Sequence, residues 1–494
     1  MKKYIPIILS ALLMGVAHQP IGYGWIAWFS LIPFIQFLDS ENTSLKGILS
    51  MGVIWGFTYH IAIIFWMFFN LGMPTKWMSA LSLILSVLIL TINTILIVSL
   101  YSIISKSKFS KIYFSIPVIW VSVEYLRTFS FLGFPWVSLA NSQTDYILLA
   151  QNVEYTGIYG ISFWIVLINV MIYDYYKYKR GLFDYRLLSS FFIVLIVPFL
   201  SGYFLYHKDS SINDKFLNAI IVQPNVPIDQ KGFNVNESHM ISIIKDSIND
   251  NTDLVLLPET AISYYSLKHP VFKKFIRNQL SNSKTSLLSG IVYRNNSNIF
   301  NSVIHIHSSN IDSLSDKDIY NKIQLVPLAE YNPFQFISGI NSADVTFGNF
   351  TQGDIYKVFN INGHKVASMV CYESTFPQLN RRFVNNGAEI LAYFVNDGWY
   401  EDPYEPEQHA SQSIFRAIEF RRPVIRCANT GISQIVDKKG NITKQLELNT
   451  KGVMSANIIP STEMTFYAKY GDVFSIINIL LVFILLAMTF RRKA

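Results

Sequence analysis

Residues 77–104, WMSALSLILSVLILTINTILIVSLYSII, contain no charged side chain. A run of that length and character closes its backbone hydrogen bonds within a helix and leaves apolar side chains that suit lipid. It belongs to a series. Apolar spans fall near 4–18, 24–38, 47–70, 77–104, 112–129, 146–174 and 187–206, and an eighth near 473–490. The first two are shorter than the roughly 20 residues that cross a bilayer comfortably. Charged residues make up 15% of the chain, against about 25% in soluble domains. A polytopic α-helical membrane domain follows, with about eight transmembrane helices.

The cations fix an orientation. With eight spans and an internal start, MKK (1–3), Lys46, KSKFSK (106–111), KYKR (177–180) and RRK (491–493) all face the cytoplasm, as the positive-inside pattern requires. The start, MKKYIPIILSALLMGVA, also has the anatomy of a signal peptide. It reads better as a retained helix, because apolar spans follow at once and the charge pattern needs it. The division is then 1–206, a membrane domain of seven helices; 207–472, an extracytoplasmic domain; and 473–494, a last helix with a cytoplasmic tail. The net charge of +7 has no basic stripe with interleaved aromatics, so nucleic acid is not expected as a partner.

Residues 207–472 have another texture. Short β-rich runs include FLNAIIVQ (216–223), DLVLLPE (253–259), TSLLSGIVY (285–293), NIFNSVIHI (298–306), KVASMVCYE (365–373) and EILAYFVN (389–396). PVIRCAN (423–429), ISQIVD (432–437) and VMSANII (453–459) continue them, and residues 236–249, 267–280 and 405–421 look helical. Such alternation predicts an α/β domain with buried sheets and its own core.

Three stretches of this domain carry chemistry. LVLLPETAIS delivers Glu259 at the carboxyl edge of a strand, YNKIQLVPLAEY holds Lys322 and then Glu330, and KVASMVCYES ends a strand at Cys371. Carboxyl ends of strands are where α/β folds gather reactive groups. Singly, each has a plainer meaning: a cysteine filling a core, a polar strand end, a solvated loop cation. Together they form an acyl-transfer device. A thiol is mostly protonated at neutral pH and needs a base, which a carboxylate provides. A fixed ammonium then stabilises the oxyanion formed on the attacked carbonyl. No histidine, metal or cofactor is needed. Cys371 and Cys427 are the only cysteines, so one disulfide between them is open to an extracytoplasmic domain; otherwise Cys427 is a core filler.

LLPET, KIQLVPLAEY and VCYES resemble the catalytic motifs of the carbon–nitrogen hydrolase (nitrilase) superfamily, and NDGWY (396–400) and RPVIRCANTGIS (422–433) resemble its later segments. Nearly end to end, the chain resembles the bacterial apolipoprotein N-acyltransferase family. WGF (55–57) and EYLRTFSFLGFPW (124–136) are similar to that family's membrane motifs. The resemblance implies a nitrilase-like αββα sandwich, with Glu259 as general base, Lys322 as oxyanion stabiliser and Cys371 as nucleophile. It makes Glu330 a support that holds the lysine, Tyr372 and Glu373 flanking residues of the nucleophile, and Asn301 of IFNSV a neighbour of the site. Where the family often has a tryptophan, VPIDQKGFNV places Gly232 or Phe233, which leaves lid or substrate contacts there open.

The implied reaction moves an acyl chain from a phosphatidylethanolamine-type phospholipid, through a Cys371 thioester, to the N-terminal amine of a diacylglyceryl apolipoprotein. It implies a bacterial inner membrane, with the catalytic domain on the periplasmic side and both termini in the cytoplasm. One rival is a membrane-tethered amidase or nitrilase acting on a soluble C–N compound, which would need only one anchor. Another is a non-catalytic transporter or scaffold, for which internal repeats and broken polar helices are missing from the sequence.

Other signals point less far. His305 and His307 share a strand face, without a third ligand at suitable spacing, so a strand edge is expected rather than a metal site. His409 reads as a surface or packing residue. Phosphate loops of the P-loop or Rossmann type do not occur. Glu124 and Arg127, at i and i+3, could pair on one helix face. They would anchor a helix end or shape an entry for lipid, with FPW (134–136) as an aromatic rim.

Overall fold

The computed structural model describes residues 4–40, 44–105, 112–129, 132–177, 185–208, 215–227, 248–263, 267, 269–280, 284–295, 298–332, 349–400 and 404–491. The chain divides into two compact units. One comprises Met1–Asp209, Tyr400–Ser411 and Tyr470–Ala494; the other comprises Ser210–Trp399 and Gln412–Lys469.

The first unit is helical. Among the described residues, five of its helices are long and apolar enough to cross a membrane: Leu45–Phe69, Lys76–Ile104, Ile158–Lys177, Leu188–His207 and Val473–Phe490. Ile5–Val16, Gly24–Leu38 and Ser115–Leu126 are shorter apolar helices. Two expected spans are built differently. The span near 24–38 is broken into a 3₁₀ turn, Gly24–Ile26, and two short helices, Ala27–Ser30 and Ile32–Leu38. Asn169 answers the polar groups freed by the break: its Oδ1 accepts from the Leu31 amide at 2.8 Å and its Nδ2 donates to Ala27 O at 2.8 Å. Such repair by a neighbouring helix is what makes broken helices tolerable in lipid. The span near 146–174 starts with two one-turn helices, Ile147–Ala150 and Val153–Thr156, and becomes a long helix only at Ile158. Gly157, at φ +62°, ends the short helical turn Val153–Thr156 before it.

The expected Glu124–Arg127 pair is not formed. Glu124 is buried and accepts from Trp120 Nε1 (3.1 Å), Leu139 N (2.9 Å) and Ser138 Oγ (2.8 Å). Its oxygens thus tie the helix Ile112–Leu126 to the loop that follows. Trp136 is not part of an exposed rim either. It is buried, and its Nε1 donates to Gln408 Oε1 at 2.7 Å within the same unit. Buried aromatic N–H groups need such a partner. His409 packs its ring against Trp136, with centroids 5.1 Å apart, so it is a packing residue rather than a surface one. Of the basic flanks, MKK, KSKFSK, residues 178–180 and residues 492–493 lie outside the described residues.

The second unit contains two six-stranded sheets. The first is built from β1 (Leu217–Gln223), β2 (Leu254–Ser263), β3 (Ser286–Asn295), β4 (Asn298–Ile306), β5 (Ile319–Asn321) and β12 (Gly452–Ile458). The second is built from β6 (Val358–Ile361), β7 (His364–Val370), β8 (Ile390–Val395), β9 (Val424–Ala428), β10 (Ser433–Val436) and β11 (Ile442–Leu446). Their orders are β12-β1-β2-β3-β4-β5 and β11-β10-β9-β8-β7-β6. Each has a parallel centre, β1-β2-β3 and β7-β8-β9, with antiparallel strands outside it. Parallel centres are covered on both faces, and their strands are accordingly near-continuous apolar runs.

One face of the first sheet packs on the helix Pro270–Leu280, whose Phe272, Ile276 and Leu280 meet Val255, Leu257 and Leu287. Toward the other sheet, Cys427 of β9 lies 3.5 Å from both Val222 O and Leu256 O. Helices thus cover a double sheet, the αββα arrangement. Both cysteines are free, so no disulfide joins them, and burial raises the Cys427 thiol far above the ordinary cysteine range. The predicted helix at 236–249 falls almost wholly outside the described residues. His305 sits on β4, an interior strand rather than an edge, and bonds Ser286 Oγ at 3.1 Å.

Candidate active site

β2 does not run straight to its carboxyl end. Its pairing with β3 jumps from Leu257↔Ser289 to Ile262↔Ile291, so residues 258–261 bulge opposite one residue, Gly290. Thr260 takes φ +52° within the bulge. A Cβ on Gly290 would stand 2.5 Å from both Glu259 Cα and Pro258 O, a clash no relaxed side chain avoids. Glycine here is therefore what lets the bulge press onto β3 and turn Glu259 into the site.

Glu259 is held by its neighbours. Asn301, one strand beyond β3, donates from Nδ2 to Glu259 Oε1 at 2.7 Å and to Glu330 Oε1 at 2.8 Å. Glu330 also accepts from Lys322 Nζ at 2.9 Å and, through Oε2, from Val326 N at 2.7 Å. Lys322 follows β5, and its backbone is fixed by Asn301 O and Gly353 N, each at 2.8 Å. Its side chain is 1% exposed. Burial alone would depress that ammonium, but Glu330, Glu259 and Cys371 outweigh it and hold the group above the usual lysine range. Lys322 is therefore a fixed cation, and Cys371 lies within its electrostatic reach.

Cys371 leaves β7 at φ +51° and opens the 3₁₀ turn Cys371–Thr375. Left-handed backbone at a non-glycine residue is strained and often marks function. Glu373 holds this turn down. Its Oε2 accepts from Val370 N at 2.7 Å, and its Oε1 from Tyr320 Oη (2.7 Å), Ile323 N (2.7 Å) and Gln324 N (3.0 Å). One buried carboxylate thus ties the cysteine turn to the segment carrying Lys322. Burial pushes the Glu373 carboxyl up, against the pull of the Val370 amide and the Lys322 charge. Tyr372 is buried, its ring edge-on to Phe376 at 5.0 Å.

The structure therefore joins Glu259, Asn301, Glu330 and Lys322 by direct hydrogen bonds, brings Cys371 near the lysine, and gives Glu373 a clamping rather than a chemical position. It adds a residue that the sequence did not single out. Asp397 follows β8, is buried, and has a carboxylate oxygen within 4.8 Å of Cys371 Sγ. Its Oδ2 accepts from Arg426 Nη2 at 2.6 Å in a fully buried pair. The signal was Arg426 inside the apolar run PVIRCA, because a charge in a buried strand needs a partner. Gly232 and Phe233 lie outside the described residues.

This arrangement is that of an enzyme class. The family model for carbon–nitrogen hydrolases matches residues 221–465, and a second model, the apolipoprotein N-acyltransferase N-terminal domain, matches residues 10–171. The apolipoprotein N-acyltransferase of Geobacter metallireducens is 26% identical over 100% of this chain and 96% of its own length. That of Thermotoga maritima is 26% identical over 96% and 91% respectively. The solved structure of Saccharomyces cerevisiae Nit3, a nitrilase-superfamily member, aligns over 51% of this chain and 93% of its own, at 18% identity and a TM-score of 0.38. The chain belongs to the apolipoprotein N-acyltransferase family.

Proposed function

We propose that this enzyme, an N-acyltransferase, takes an acyl chain from a phosphatidylethanolamine-type phospholipid and passes it to the N-terminal amine of a diacylglyceryl apolipoprotein. Cys371 Sγ attacks the glycerol ester carbonyl while Glu259 takes the thiol proton. The Lys322 ammonium stabilises the oxyanion. Collapse breaks the ester C–O bond, Glu259 returns the proton to the departing oxygen, and lysophospholipid leaves a thioester on Cys371. In the second half the amine nitrogen attacks the thioester carbon and yields a proton to Glu259. The C–S bond breaks, and the proton goes to the sulfur. This is ping-pong covalent catalysis. Both substrates are bilayer-borne, which favours transfer over hydrolysis. The setting that fits is a bacterial inner membrane, with the catalytic unit on the outer side and both termini in the cytoplasm.

The observation that carries this reading is the buried network Glu259–Asn301–Glu330–Lys322 beside Cys371. The test is direct. Purified protein incubated with phosphatidylethanolamine should acquire a hydroxylamine-sensitive acyl group, and Cys371→Ala should abolish both that label and transfer to a diacylglyceryl peptide. Labelling by small amides, with none by phospholipid, would instead identify a membrane-tethered amidase.

A further inference from the structure

We propose that Asp397 is a second catalytic carboxylate, which stabilises the positive charge that develops on the attacking amine nitrogen in the aminolysis half-reaction. The inference rests on the N-acyl transfer just described. Its geometry comes from three adjacent parallel strands. Val370 pairs with Phe394, and Val395 with Ala428, so Cys371, Asp397 and the loop after β9 leave the sheet at the same end. There the Asp397 carboxylate lies within 4.8 Å of Cys371 Sγ. Arg426 fixes it at 2.6 Å, and Gly431 leaves room for it, since a Cβ there would fall 2.3 Å from Asp397 Oδ2.

The two half-reactions make different charges. When the thiol attacks an ester, its proton passes to Glu259, negative charge grows on the carbonyl oxygen, and no cation forms. When a neutral amine attacks the thioester, the new C–N bond leaves the nitrogen positive while the oxygen turns negative. Lys322 answers the oxygen. The nitrogen bonds to the carbon attached to Sγ, so it forms its charge beside whatever flanks that sulfur, and Asp397 is a fixed carboxylate there. The nitrogen then gives its proton to Glu259, the C–S bond breaks, and the sulfur takes that proton; Asp397 ends the cycle unchanged. An interaction of this kind strengthens only as the transition state forms, which is the condition for raising a rate.

Ping-pong kinetics separate the halves, because kcat/KM for the donor reports only acylation and kcat/KM for the acceptor only aminolysis. The full chain in detergent, with phosphatidylethanolamine as donor and a diacylglyceryl-cysteine peptide as acceptor, is compared with Asp397→Asn. The acceptor kcat/KM is expected to fall about ten- to a hundredfold, with the donor value within about twofold. The acylated fraction of enzyme at steady state should rise. An unchanged acceptor value, or an equal fall in both, overturns the proposal. If Asp397→Asn does not fold, Asp397→Glu, which keeps the charge, must retain the donor value and most of the acceptor value; loss of both overturns it equally. Failure of the unaltered enzyme to form a thioester at all would instead strike the acyl-transfer function.

Discussion

The two sheets of the catalytic unit share a plan, three parallel strands with antiparallel neighbours, yet they deliver their reactive groups in opposite ways. In the first, the backbone bulges at residues 258–261 and a long side chain, Glu259, is steadied from outside by Asn301. In the second, a short side chain has no reach of its own, so the backbone itself turns left-handed at Cys371. A glutamate can be aimed by hydrogen bonds at its tip; a cysteine must be placed by φ and ψ. The first sheet therefore stores its precision in a polar network, and the second in backbone strain held down by Glu373.

The strongest break in the network is Lys322→Ala. Oxyanion stabilisation of this type contributes about 10²–10³ in kcat, and acyl-enzyme formation should slow by that factor. Removing the cation also leaves the carboxylates of Glu259 and Glu330 without its compensating charge, which costs about 3–5 kcal/mol. The lysine is held above its ordinary 10.5. Its stabilisation is therefore complete below that pH and lost only as pH rises further. Denaturant melts of enzyme and variant should keep the same separation at pH 7 and pH 9 and begin to draw together only above the ordinary lysine value. Gly290→Ala attacks the backbone side of the same sheet. The added methyl must displace the bulge, so a stability loss of about 1–3 kcal/mol is expected, with a rate loss approaching about 10²-fold as Glu259 shifts. Activity unaffected by that substitution would mean that the bulge does not aim Glu259.

These contrasts explain what the sequence could reveal. LVLLPE and KVASMVC are apolar runs that end in a reactive residue, and period, length and end-group are local properties that a sequence displays. The α/β class and the strand-end place of Cys371 could be read in that way, whereas Glu259 falls in a bulge inside β2 rather than at its end, and Lys322 follows the short strand β5. The sharing of Asn301 between two glutamates depends on a strand crossing and has no local signature. Glu124 illustrates the failure: i,i+3 spacing suggested Arg127, but Ser138 and the Leu139 amide, brought by the following loop, took the carboxylate instead. Asp397 was hidden similarly, because its partner Arg426 is distant in sequence and adjacent only through β8–β9 pairing.

A smaller effect separates the sheets by acid. His305, on the first sheet, packs its ring at a tilt against Phe359 and has its imidazole pushed down to about 4 by burial and by His307. A lowered folded value means that its stabilisation is whole above about 6.5 and fades as pH falls toward 4. The difference corresponds to about 3 kcal/mol. His305→Phe should therefore flatten the loss of stability between pH 6.5 and 4 in denaturant melts, while leaving activity at pH 7 in place. An unchanged acid limb would show that the imidazole is already solvated.

The least effect is expected at the second cysteine, and it distinguishes the two thiols most sharply. Cys427 lies between the sheets, fully buried, its Sγ 3.5 Å from the carbonyls of Val222 and Leu256. At those separations sulfur fills space and bonds weakly, whereas a serine oxygen sits closer to its Cβ and would leave both carbonyls out of reach. Cys427→Ser then buries a hydroxyl with poor partners, at about 1–3 kcal/mol. Cys427→Ala loses volume but buries no polar group, so it should melt at a higher denaturant concentration than the serine variant. Both should keep acyl transfer within about twofold, since no step of ping-pong catalysis passes through this residue. Alkylation of the native protein should modify Cys371, which is partly exposed, and spare Cys427 until the fold opens. Were Cys427 to label first, or its alanine variant to lose transfer, the inter-sheet placement of its thiol would be wrong.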